Sequence, residues 1–363
     1  MKVVIAGGGT GGHIFPAVAI GHALQRLRPG TELLFVGANG KMEMEKVPQE
    51  GFRIVGLDIA GFNRSNLLKN LSLPFKLWKS RQQAHKVIRD FRPDVVVGVG
   101  GFASFPMLHA AQSKGIPTLI QEQNSFAGKS NKILGKRAQA ICVAYDGMDK
   151  FFPKDKIIVT GNPVRAVIAQ SDISHEEGLE AFGLANDRKT VLVVGGSLGA
   201  KSINEAIAGH MEELASWGIQ LIWQTGRLFI EEAKAAAAKF GEGIVAREFI
   251  RNMEYAYAAA DIVVSRAGAL ASAELCIAGK PVIFVPYPFA AEDHQTSNAL
   301  ALVEHNAAMM VKDNEAQTDL VRKLKVLMQD DNMQQIMAAN IVKHGIRDAD
   351  ERIARKVIEI SGK

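Results

Sequence analysis

The chain has 363 residues, 47% of them hydrophobic and 22% charged, with a formal net charge of +5. That size and balance allow two packed α/β cores and argue against extensive disorder. No apolar run is long enough to span a bilayer, and residues 2–6 are too short for the core of a secretion signal, so a soluble or peripheral protein is expected; its charge suits an anionic partner, whether nucleic acid, an acidic membrane or a phosphorylated substrate.

In chain order, short β-branched runs at 2–6, 33–37, 53–58, 94–98, 117–121, 139–143 and 157–160 are predicted strands. Helical spacing of apolar residues separates them at 13–27, 72–90 and 103–113. A second series of strands follows at 190–195, 219–224, 243–247, 261–265 and 281–285, with helical patterns at 200–215 and 270–278. Such alternation implies mainly parallel sheets with helices on both faces. The pattern also restarts. A strand, a glycine turn and a helix begin at Val3 and again at Val191, which predicts two doubly wound domains. The expected boundaries are 1–163 and 164–345, with the helix in 346–363 packing back on the first domain. Cys142 and Cys276 fit neither a metal spacing nor a disulfide framework and read as reduced, buried thiols.

Three glycine turns stand between a strand and a helix: Gly7–Gly12, Gly98–Phe102 and Gly195–Gly199. Such turns point backbone N–H groups at a phosphate, at the positive end of a helix. Each alone could serve only tight packing. No P-loop motif is present, and the second strand ends Phe35-Val36-Gly37-Ala38-Asn39, without an acid to hold a ribose, which weighs against NAD. A different diphosphate-bearing ligand fits better. In the second half, Glu274 lies about one and a half turns into a helix that follows Ser265-Arg266-Ala267-Gly268. Its carboxylate can accept both hydroxyls of a ribose; a solvated helix carboxylate is the plain alternative. The polar cluster Glu292 to Ser297 opens another helix, where Gln295 can grip sugar hydroxyls or the cluster can merely cap the turn.

The ordered set Gly8-Gly9-Thr10-Gly11-Gly12-His13, Glu122-Gln123-Asn124, Gly161-Asn162-Pro163-Val164-Arg165, Gly195-Gly196-Ser197 and Arg266 to Glu274 strongly resembles the MurG family over nearly the whole chain. These are peptidoglycan N-acetylglucosaminyltransferases of the GT-B fold. The resemblance implies two Rossmann-like domains facing a central cleft. It also implies inverting transfer of GlcNAc from UDP-GlcNAc to the C4 hydroxyl of MurNAc in lipid I, undecaprenyl-pyrophosphoryl-MurNAc-pentapeptide, giving lipid II for cell-wall synthesis. Thr10, Gly11, Gly12, Asn124, Arg165, Ser197, Ile250, Ala269, Leu270, Ala271, Ser272, Ala273, Glu274 and Gln295 match positions assigned to the donor, and Gly100 and Gly101 fall in the loop assigned to the acceptor's pyrophosphate. Three positions depart from the pattern: Leu198 for Gln, Ala267 for Ser and Phe105 for Gly.

Displacement at an anomeric carbon needs a proton acceptor and a stabilised leaving group. His13, closing the first glycine loop at a helix start, is the expected base, since an unperturbed histidine titrates near neutrality. Substrate binding or turn capping is its alternative role. The helix start after Ser197, with Arg165, is expected to neutralise departing UDP, so neither a cofactor nor a metal is expected. Asp348-Ala349-Asp350, the sole Asp-x-Asp, reads as a solvated helix face.

Residues 60–81 combine Phe62, Leu67, Leu68, Leu71, Leu73, Phe75, Leu77 and Trp78 with Arg64, Lys69, Lys76, Lys79 and Arg81, without an acid. This composition suits an anionic membrane surface, and Lys129, Lys132, Lys136 and Arg137 add a second basic group. A core face with solvated cations is the alternative. With a lipid-linked acceptor, the expected location is peripheral, at the cytoplasmic face of the bacterial inner membrane. No nucleic-acid motif accompanies the basic stretch. Competing readings are a UDP-GlcNAc 2-epimerase, a glycolipid glucosyltransferase and a non-catalytic UDP-sugar-binding module.

Overall fold

The computed structural model describes residues 1–59, 73–239 and 241–363. The chain divides into two compact units, residues 1–165 with 348–363 and residues 166–347.

Among the described residues, the first unit carries a seven-stranded sheet. Its strands are β1 (Lys2–Ala6), β2 (Glu32–Ala38), β3 (Ile54–Leu57), β4 (Val95–Gly98), β5 (Thr118–Glu122), β6 (Ala140–Val143) and β7 (Ile157–Val159). Their order is β3-β2-β1-β4-β5-β6-β7, and every pairing is parallel. The side-chain period of two explains why β1 is apolar from Val3 to Ala6. Val4 and Ala6 enter the core on one face of the sheet, with Met107 and Leu108, while Val3 and Ile5 enter the core on the other. Both faces are covered over Val3–Ala6, so the buried positions of the strand are apolar, while Lys2 at its open start pairs with Glu32. Each buried Val or Ile there contributes about 1.5–3 kcal/mol. The last helix, Ala349–Ile360, sets Ile353, Ala354 and Val357 into that second core beside the helix Gly11–Leu27. Its Asp350 meets Arg26 at 2.8 Å.

The second unit carries six strands among its described residues: β8 (Thr190–Val194), β9 (Gln220–Gln224), β10 (Ile244–Arg247), β11 (Ile262–Ser265), β12 (Val282–Phe284) and β13 (Met309–Met310). The order is β10-β9-β8-β11-β12-β13, again all parallel. Two-residue β13 carries too little pattern to be read from sequence. The predicted helix 200–215 is two, Lys201–Gly209 and Met211–Ser216, broken at His210 just after a helix-weakening glycine.

In both sheets the strand order reverses between two central strands, β1 and β4 in the first and β8 and β11 in the second. The loops leaving such a pair part to opposite sides and open a crevice at the carboxyl edge, where open α/β sheets bind ligands. All three glycine loops leave strands at these two switch points.

Candidate active site

In the first unit, Ala6 lies opposite Gly98 in the pairing of β1 with β4, so the loops that follow emerge side by side. Glycine is demanded where they touch. A Cβ on Gly101 would sit 2.2 Å from the carbonyl oxygen of Gly8, and one on Gly7 would sit 2.2 Å from Val99 Cγ2.

His13 stands in the first turn of the helix Gly11–Leu27, between the two loops. Its Nδ1 lies 3.0 Å from the Gly8 carbonyl oxygen and 3.4 Å from Thr10 Oγ1. A carbonyl only accepts, so this bond assigns the proton to Nδ1 and the lone pair to Nε2. On the Nε2 side stands Gly100, with φ +89°; a Cβ there would come within 2.8 Å of Nε2. The arrangement leaves an oriented ring whose basic nitrogen faces the backbone of the second loop.

Glu122 ends β5 in full burial, and desolvation pushes its carboxyl pKa above the usual range. It accepts from the Asn131 side chain at 2.8 Å and from the amides of Asn124 and Gly128 at 3.2 and 3.3 Å. It thereby holds the loop that displays Asn124. Gln123 donates to the Val99 carbonyl at 2.7 Å and Asn162 to the Gln123 carbonyl at 2.9 Å, tying the segment before Arg165 to the second glycine loop.

In the second unit, Gln224 at the end of β9 braces the third glycine loop. Its Nε2 donates to the Gly196 carbonyl at 2.9 Å and its Oε1 accepts the Ile250 amide at 2.8 Å. Ser197 is exposed at the loop's crest. Gly199, at φ +78°, passes so close to β9's loop that a Cβ would meet Thr225 O at 2.0 Å. The helix Ala269–Ala278 begins directly after Gly268, so Ala269, Leu270 and Ala271 form its first turn, whose N–H groups have no partner within the helix. Glu274 is 6% exposed, and its Oε2 accepts from Tyr257 Oη at 3.1 Å. Ser272 is fully buried and its amide donates to Gly268 O, so this residue faces the unit's interior. Ala273 is half-buried. Gln295 Oε1 accepts the Tyr287 amide at 3.0 Å. Just before it, Glu292 and Asp293 both take left-handed backbone, at φ +54° and +53°, each costing about 1–3 kcal/mol.

Arg266, conspicuous in the sequence, is a strut. It bonds the carbonyls of Val285 and Pro286 and pairs with Asp313 at 2.5 Å. Asp348 and Asp350 pair with Arg352 and Arg26 at 2.9 and 2.8 Å. Burial pushes both Cys142 and Cys276 up to about 12, leaving them inert thiols. Of the departures, Leu198 is exposed, Ala267 accepts from buried Asn298, and Phe105 packs on the core and stacks with His109.

Of the apolar and basic stretch, Phe62, Arg64, Leu67, Leu68, Lys69 and Leu71 lie outside the described residues. On the helix Leu73–Phe91, Phe75, Leu77 and Trp78 are 63%, 51% and 56% exposed. Lys79 pairs with Asp58 at 2.8 Å, and with Asn39 and Gln83 it lowers that carboxyl to about 2. In the second basic group, Lys132 lies over the rings of Phe126 and Phe151, and Arg137 bonds Gln112 O. No helix among the described residues is long and apolar enough to cross a membrane.

Reading the sequence missed Glu43, Gln224 and Tyr257. Each is a polar residue with a partner 17 or more residues away, in a loop or helix reached only through folding. A polar residue at a strand end, as Gln224 is, was the one local signal.

Comparison with known proteins agrees with this geometry. Residues 3–143 match the glycosyltransferase family 28 N-terminal domain, and residues 190–353 the glycosyltransferase family 28 C-terminal domain. The chain is 51% identical to the UDP-N-acetylglucosamine–N-acetylmuramyl-(pentapeptide) pyrophosphoryl-undecaprenol N-acetylglucosamine transferase of Phocaeicola vulgatus, over 100% of this chain and 97% of that one. It is 54% identical to the protein of the same description from Porphyromonas gingivalis, over 87% and 84% of the two chains. Among solved structures, Acinetobacter baumannii MurG is similar with a TM-score of 0.80 and 28% identity over 99% of each chain. A UDP-GlcNAc 2-epimerase from Neisseria meningitidis bound to UDP-GlcNAc is similar in fold alone, with a TM-score of 0.67 and 16% identity over 99% and 100%. Two parallel α/β units with this likeness make the fold GT-B.

Proposed function

Because the chain belongs to glycosyltransferase family 28, we propose that it transfers GlcNAc from UDP-GlcNAc to the C4 hydroxyl of MurNAc in lipid I, with inversion, giving lipid II. The observation that carries the chemistry is His13, clamped between two glycine loops with its proton on Nδ1. Nε2 takes the proton of the attacking hydroxyl as the new glycosidic bond forms, and the bond to UDP breaks. In this reading Thr10, Gly11, Gly12, Asn124 and Arg165 of the first unit contact the donor, and Gly100 and Gly101 receive the acceptor's pyrophosphate. In the second unit, Ser197 and the start of the helix Lys201–Gly209 meet the diphosphate of UDP. Ile250, Ala269 to Glu274 and Gln295 surround the nucleotide and sugar, with Glu274, steadied by Tyr257, on the ribose. Ile250 would act through its carbonyl or side chain, since its amide is held by Gln224. Ser272 supports that wall from inside.

The acceptor's lipid places the reaction at the cytoplasmic face of the inner membrane. Phe75, Leu77 and Trp78, with Lys76 and Arg81 beside them, form the contact with anionic lipid. Replacing Phe75 and Trp78 by serine should release the protein from vesicles containing anionic lipid without altering UDP binding; unchanged vesicle binding rejects this contact.

The deciding experiment is transfer of radiolabelled GlcNAc from UDP-GlcNAc to a short-chain lipid I analogue. Transfer that needs the acceptor supports the reading. UDP-GlcNAc bound tightly but never transferred favours a binding module, and inversion at C2 of the sugar without acceptor favours an epimerase.

A further inference from the structure

Beneath the first glycine loop lies a carboxylate with no part in the scheme above. Glu43 opens the helix Glu43–Gln49 and is 1% exposed. Its Oε1 accepts the Ala38 amide at 2.9 Å and its Oε2 the Gly9 amide at 2.8 Å. Glycines make room for it. A Cβ on Gly8 would lie 2.3 Å from Glu43 Cδ, and one on Gly37 would lie 2.4 Å from Cγ. The Gly9 amide and the Gly8 carbonyl belong to one peptide group, and that carbonyl accepts from His13 Nδ1 at 3.0 Å. The peptide is trans, so its N–H and C=O point opposite ways. One points to Glu43 and the other to His13.

We infer that Glu43, the peptide joining Gly8 to Gly9, and His13 form a carboxylate–peptide–imidazole relay that fixes the tautomer of the base and raises its basicity. The inference rests on the reading of His13 as the base. A carboxylate on the N–H side polarises the peptide and adds negative charge to its carbonyl oxygen, which strengthens the bond from Nδ1–H and favours the imidazolium that forms during transfer. In hydrolase triads a carboxylate touches the imidazole directly; here a peptide group stands between them. No proton crosses it. The hydroxyl proton stops at Nε2 while Nδ1 keeps its own. Glu43 is therefore a positioning residue. Gly8, Thr10 and Gly100, which lie against the ring, do not titrate, and Glu43 is joined to the ring through the Gly8–Gly9 peptide. Glutamine cannot replace Glu43 here, because two N–H donors face the side chain and an amide offers one acceptor.

The test joins spectra to kinetics. Full-length protein labelled with ¹⁵N-histidine, with the His13 signals identified by their loss in His13→Gln, should show Nδ1–H as the dominant neutral form. In Glu43→Gln the Nε2–H form should grow. Plateau kcat should fall about tenfold, while KM for UDP-GlcNAc changes less than about twofold. The imidazolium loses a stabilising negative charge, so its proton leaves more easily and the ascending limb of the kcat–pH profile moves about half a unit lower. A folded Glu43→Gln protein with the wild-type limb and the wild-type tautomer overturns the relay and leaves Glu43 a prop for the loop. Should that variant not fold, Glu43→Asp, which draws the carboxylate back from the Gly9 amide, decides: growth of the Nε2–H form with an ascending limb moved lower upholds the relay, and the wild-type tautomer with the wild-type limb overturns it. Turnover surviving in His13→Gln defeats the base reading separately, whatever the spectra show.

Discussion

The first and third glycine loops begin from the same local design, a buried strand followed by glycines and a helix, yet different side chains hold them from below. Under the first lies Glu43, a carboxylate that accepts the Gly9 amide. Under the third lies Gln224, a neutral amide that donates to the Gly196 carbonyl and accepts from Ile250. The first support places negative charge behind a peptide that touches His13, which suits a loop whose proposed task is to hold a base. The second adds no charge beside a loop whose proposed task is to receive a diphosphate. Equal backbone motifs thus acquire different electrostatics, one charged and one neutral, from one residue each, and the glycines alone do not say which loop does which.

The largest break in the comparison should come from His13→Ala. If the first loop exists to present a base, kcat falls about a thousandfold, and calorimetric UDP affinity stays as it was. Loss of UDP binding in step with activity would make His13 a donor contact.

Next comes Gly199→Ala in the third loop, where left-handed backbone and a Thr225 oxygen 2.0 Å from the new Cβ combine. Urea unfolding should register about 3 kcal/mol of destabilisation. Gly9→Ala in the first loop, at φ +91° with open space around it, should cost only about 1 kcal/mol. Equal costs would mean that backbone strain alone, and not the packing of neighbouring loops, demands these glycines.

Gln224→Glu sharpens the electrostatic contrast by giving the third loop the support of the first. The new oxygen faces the Gly196 carbonyl, and a negative charge enters beneath the loop. UDP affinity should drop about tenfold, while Gln224→Leu, which removes the bonds without adding charge, should lose less. An unchanged dissociation constant in Gln224→Glu would show that the diphosphate does not sit there.

The smallest effect concerns Glu122, the other buried carboxylate of the first unit. Burial raises its folded pKa above the usual 4.5. The stability it contributes is full below that value and is lost as pH rises through its higher folded value. The difference in Tm, wild type minus Glu122→Gln, should therefore be most positive near the ordinary glutamate range and shrink toward neutrality. A difference that grows with pH would mean that the donors from Asn131, Asn124 and Gly128 outweigh desolvation.

The sequence by itself determined the twelve longer strands, their separation by helices, the restart at Val191 and the family. These are properties of local periodicity and glycine placement, which a linear reading captures. It also singled out His13 and Glu274 as polar residues next to glycine turns. Tertiary structure decided what surrounds them. The strand order puts β4 beside β1 although β2 and β3 come between them in the chain, and only that order brings Gly100 against His13. Glu43 reaches Gly9 across 34 residues, and Gln224 reaches Gly196 across 28. No spacing rule encodes such pairs. Each forms because a buried polar group must find a partner, and which partner stands nearby is settled by how the strands assemble.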